Sequence, residues 1–93
     1  MDSRQLEKII EDVRKDKQKL IQIILEKTDF KTCIQNIRQV LLGFWAEARF
    51  ENSVDSVSET IEFKKQLLDI IDMIRSTELN DEEKIDRISN ILI

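Results

Sequence analysis

Proline is absent from this 93-residue chain, and glycine occurs once, at Gly43. A chain so poor in breakers cannot make the frequent tight turns that sheets and barrels require. Tyrosine is missing as well, and strands favour aromatic and β-branched side chains. Isoleucine is plentiful, but it recurs at helical spacing, and burial overrides its small helix penalty. The expected class is all-α: a small three- or four-helix antiparallel bundle. The length fits a single helical domain over 1–93, and no internal repeat, low-complexity tract or long linker divides it.

Apolar spacing and capping residues divide the chain into helices. In the first, Leu6, Ile9, Ile10, Val13, Leu20 and Ile24 share one face at about 100° per residue. Lys17 thins that stripe, with methylenes able to lie on the core and an ammonium able to reach water. Asp2 or Ser3 can cap this helix, with Gln5 three residues after Asp2. In the second, capped by Thr28 or Asp29, Phe30, Ile34, Ile37, Leu41, Phe44 and Ala48 repeat at four- and three-residue steps. Val40, Leu42 and Trp45 widen this apolar surface, which marks helix 2 as the central, most buried element. Phe50, Val54, Val57 and Ile61 continue the spacing with a stripe rotated by more than about a third of a turn. A break is therefore expected at about 50–54. Helix 3 carries a broad face of Val57, Ile61, Phe63, Leu67, Leu68, Ile70, Ile71 and Ile74. A new start follows, with Asn80 as N-cap, Glu83 completing a capping box, and Asp81, Glu82 and Glu83 at the positive end of the helix dipole. Ile85, Ile88 and Leu92 form the inner face of a short fourth helix, and Leu79 can staple its start. Connections are placed at about 27–29, 50–54 and 76–80.

Charge and composition remove several function classes. The net charge of −4 argues against general phosphate-backbone binding, which needs a cationic face. No apolar stretch approaches the ~20 residues of a membrane span, and the charged, periodic N-terminus is unlike a secretory signal. A single cysteine, Cys33, cannot form an internal disulfide, which favours a reducing, cytoplasmic setting. With no histidine and no tyrosine, general acid–base chemistry is left with carboxylates, lysines and one thiol. Cys33 has no histidine to activate it and reads as a small buried hydrophobe. Asp69 and Asp72 lie one turn apart and "NDEE" is rich in oxygens. The Glu-x-x-His pairs of a di-metal bundle and the glycine of an EF-hand loop are missing, however. No metal, cofactor or catalytic residue is expected. The basic run "RKDKQK" supplies Arg14, Lys15, Lys17 and Lys19, but Glu11–Lys15 and Lys8–Asp12 are spaced for intrahelical pairs, and no aromatic accompanies the run to stack on a base.

"LLGFWAEARFEN" concentrates the chain's only tryptophan and two of its four phenylalanines. Phe44 falls in the helix-2 stripe and is expected in the core, whereas Trp45, Leu42 and Phe50 either fill the junction between helices or anchor another chain. Over about ten residues, "FWAEARFENSV" resembles the midpoint of the small WXG-type secretion substrates, helical hairpins in which a tryptophan, a small residue and a glycine mark the turn. Glu47 stands at the glycine position. That resemblance implies a secreted two-helix hairpin.

The expected function is a non-catalytic protein–protein interaction module: an adaptor, an inhibitor or antagonist, or a small subunit of a helical assembly. The apolar surplus of helices 2 and 3 further predicts self-association as a homodimer. Its candidate interface is Leu42, Trp45, Phe50, Phe63, Leu67, Ile70 and Ile74. The competing readings are a nucleic-acid-binding regulator using the 14–19 run and the WXG-like hairpin.

Overall fold

The computed structural model describes residues 3–26, 28–46 and 58–93, with backbone alone at 45 and 46. Among these residues lie four α-helices: α1 (Ser3–Leu25), α2 (Phe30–Ala46), α3 (Ser58–Arg75) and α4 (Asp81–Leu92). No strand occurs among the described residues. The predicted all-α bundle is therefore the fold, with four helices packed on one core rather than the two-helix hairpin of the WXG-type proteins. The predicted break at 50–54 lies outside the described residues.

Local chemistry explains where the helices begin. Asp29 caps α2: one carboxylate oxygen accepts the Thr32 backbone N–H at 2.8 Å and the other accepts the Thr32 hydroxyl at 2.9 Å. These two hydrogen bonds, the backbone one first, hold the Asp29 carboxyl below its ordinary range. The depressed pKa means that the cap's stabilisation is present above the unfolded-state pKa and is lost as pH falls through the folded one. At α4 the expected capping box is complete. The Asn80 side chain accepts from Glu83 N–H at 2.8 Å, and the Glu83 carboxylate accepts from Asn80 N–H at 3.4 Å. Asn80→Ala is expected to cost about 1 kcal/mol of stability. Urea unfolding checks this, and an unchanged midpoint would show that the box is dispensable.

Side-chain hydrogen bonds to backbone carbonyls and one ring pair help fix the helix directions. Cys33 Sγ donates to the Ile23 carbonyl at 3.8 Å, across the 26–29 connection. Phe44 and Phe63 meet edge-to-face with centroids 6.5 Å apart, a favoured aromatic geometry. Lys84 Nζ reaches the Ile74 carbonyl at 3.0 Å, and Gln66 Nε2 reaches the Ile91 carbonyl at 3.2 Å. Sequence numbers thus run in opposite senses across α3–α4. α1 and α4 each pack against both α2 and α3 and also against each other, while α2 and α3 touch least. α2 supplies more of the described core side chains than any other helix, as its wide apolar face suggested, but it meets α3 only sparsely.

The core comprises Val13, Leu20, Ile23, Cys33, Ile34, Ile37, Leu41, Phe44, Phe63, Leu67, Ile70, Ile74, Ile85, Ile88 and Leu92. Three expectations change. Phe30 is half exposed rather than core, because it occupies the first position of α2, beyond the packed layer. Leu6, Ile9 and Ile10 are only partly buried, so α1 contributes its core through Val13, Leu20 and Ile23. Most consequentially, Phe63, Leu67, Ile70 and Ile74, assigned above to a partner-facing surface, lie inside the chain's own core. Their four-, three- and four-residue steps make the straighter stripe, and α3 turns that stripe toward its three neighbours. The other apolar face of α3, with Ile61 and Leu68, remains outside.

Candidate functional site: an apolar groove between α2 and α3

Because α2 and α3 touch sparsely, a groove of about 570 Å3 opens between them. Leu41 and Ile74 are buried beneath it, Ile71 is partly buried, and Leu42 and Leu68 stand at its edges, 67% and 50% exposed. Two leucines so exposed on facing helices make an apolar patch of the kind that marks interaction surfaces. Among the described residues, the charged ones lining the groove are Arg38 and Arg75. Neither forms an ion pair among the described residues.

The structure thus divides the predicted interface. Leu42 is exposed on the groove and Ile74 lies in its floor, while Phe63, Leu67 and Ile70 are core. Phe50 and the Trp45 side chain lie outside the described residues. Sequence reasoning overlooked Arg38 and Arg75 and counted Leu68 and Ile71 merely as part of a broad face. A signal was available: Leu68, Ile71 and Arg75 follow at three- and four-residue steps, as do Arg38, Leu41 and Leu42 around one side of α2.

The other candidate chemistries are placed differently. Within the basic run, Arg14 pairs with Glu59 of α3 at 3.1 Å and Lys15 with Glu11 at 3.0 Å. The Glu11 carboxylate, hydrogen-bonded to Lys15, raises the Lys15 pKa. Lys17 is half-buried, lining a smaller groove of about 260 Å3 with Val13, Glu59, Glu62, Phe63 and Gln66. Two of the four cations proposed for phosphate contact are therefore already matched by carboxylates. Cys33 is buried, and desolvation followed by the nearby Glu26 charge pushes its thiol pKa up. A raised pKa keeps the sulfur protonated, and the thiol is a weak nucleophile. Asp69 and Asp72 are exposed. Among the described residues no group of three or more metal-ligating side chains is placed to hold an ion, and no helix is long and apolar enough to cross a membrane.

Three buried polar side chains, Asp16, Thr60 and Lys84, had no sequence-level signal. Asp16 is 2% exposed on the inner side of α1, and Lys84 is buried against the end of α3.

Compared with family models, curated proteins and solved structures, the chain has no match.

Proposed function

We propose that this chain is a non-catalytic protein-interaction module that receives a protein partner in the α2–α3 groove. The observation that carries this reading is the open apolar groove with Leu42 and Leu68 exposed along it. Catalysis has little support, since the thiol is buried and the chain contains no histidine. The buried free cysteine favours a reducing, cytoplasmic setting.

A heterologous partner is better supported than a homodimer. The self-association reading rested on an apolar surplus, and four residues counted toward it lie in the core. A twofold dimer through the groove would bury the arginines of both copies in one interface without bringing any carboxylate among the described groove residues to match them. The nucleic-acid reading loses two of its cations to Glu11 and Glu59.

The test pairs sedimentation equilibrium with affinity capture from the native host. The expected results are a mass near 11.0 kDa at micromolar concentration and a protein retained by the wild type but lost from Leu42→Glu/Leu68→Glu. A mass near twice that value would restore the homodimer. Equal retention by the variant would remove the groove from the function.

A further inference from the structure

We infer that the groove's partner is an amphipathic helix carrying carboxylates along both flanks of its apolar stripe. The inference rests on the groove reading above and adds the chemistry of the occupant.

Charge complementarity carries it. The protein is acidic, with a net charge of −4, yet among the described residues the charged side chains lining this groove are two arginines that form no ion pair. Helix phase extends the cationic rim beyond them. Lys64 precedes Leu68 by four residues on α3, and Lys31 precedes Arg38 by seven on α2, and both lysines are exposed. α2 contains no carboxylate between Phe30 and Ala46. Asp72 lies further round α3 and does not line the groove. Arg14 and Lys15, by contrast, are matched by Glu59 and Glu11. Leaving Arg38 and Arg75 unmatched beside an apolar floor supplies a bidentate carboxylate receptor on each wall.

Shape selects a helix as the occupant. Both walls are helices, so the groove presents ridges at three- and four-residue steps into which another helix can fit. From Lys64 to Arg75 the rim spans 11 residues, about 16 Å or three turns. A nucleic acid would use the cations but gain nothing from a floor of Leu41, Ile71 and Ile74.

The test uses two synthetic peptides of about 15 residues with identical leucine stripes, one flanked by glutamates and one by lysines, titrated into methyl-labelled protein. The expected result is that the glutamate peptide shifts the Leu42, Leu68 and Ile71 methyls and binds at least about tenfold tighter than the lysine peptide. That advantage should shrink with salt and disappear in Arg38→Gln/Arg75→Gln. Both arginines are exposed, and circular dichroism confirms that the variant keeps its helices. Equal binding of the two peptides would overturn the acidic partner while leaving the groove as a docking face. No methyl shift with either peptide would overturn both readings. A duplex oligonucleotide shifting these methyls more tightly than the glutamate peptide would replace the protein partner with a nucleic acid.

Discussion

Leu67→Ala is expected to lower the unfolding free energy by about 2–5 kcal/mol, whereas Leu68→Ala, one residue on, is expected to change it by less than about 0.5 kcal/mol. Leu67 is fully buried and Leu68 is half exposed. The first substitution loses the transfer free energy of the removed carbons and leaves a cavity among packed neighbours; the second mostly trims a side chain already in water. A domain of 93 residues has a total stability of only about 5–14 kcal/mol, so the Leu67 variant sits near the edge of folding at physiological temperature. Urea denaturation of both variants with an unchanged m-value reads the difference directly. If Leu68→Ala were the more damaging, α3 would be rotated relative to this packing, and the groove would not be where it is described.

Lys84→Met should cost about 1–3 kcal/mol, a large effect for a lysine. Ile74 lies one residue before the end of α3, so its carbonyl belongs to the last turn and lacks an i+4 donor within the helix. Lys84 Nζ supplies that donor at 3.0 Å from a buried position, and its positive charge suits the negative end of the α3 dipole. Methionine keeps the stem that covers the core and deletes the donor, so the loss reports the hydrogen bond rather than the packing. Thermal unfolding with Lys65→Met as an exposed control separates this effect from general loss of charge. Equal shifts for the two variants would show that the contact contributes nothing of its own.

These sites also show how far the sequence could be read. Helix count and most boundaries were legible, because caps and stripes are local. Asn80 and Glu83 sit at the spacing of a capping box, and they form one. Asp29 stands three residues before the N–H it captures. What could not be read was which of two apolar stripes on one helix faces inward. Phe63–Leu67–Ile70–Ile74 and Ile61–Leu68 are both helical in period, and only the positions of α1, α2 and α4 decide between them. The buried Lys84 was hidden for the same reason: in sequence it is one more charge in an acidic first turn, and its partner is ten residues away on another helix. Arg38 and Arg75 lie on different helices, and their shared groove exists only once α2 and α3 are set side by side.

Both ends of α4 are tied to α3, one at the last turn of α3 and the other at its middle. Lys84 of α4 satisfies a terminal carbonyl of α3, and Gln66 of α3 satisfies Ile91, a terminal carbonyl of α4. Neither end of α4 can fray without breaking a hydrogen bond to α3. Opening either end of α4 therefore costs a hydrogen bond on α3 as well as its own, which couples the two helices in local unfolding. Ile74 is held by Lys84 and also floors the groove, so whatever docks against that floor bears on the residue that ties α3 to the first turn of α4.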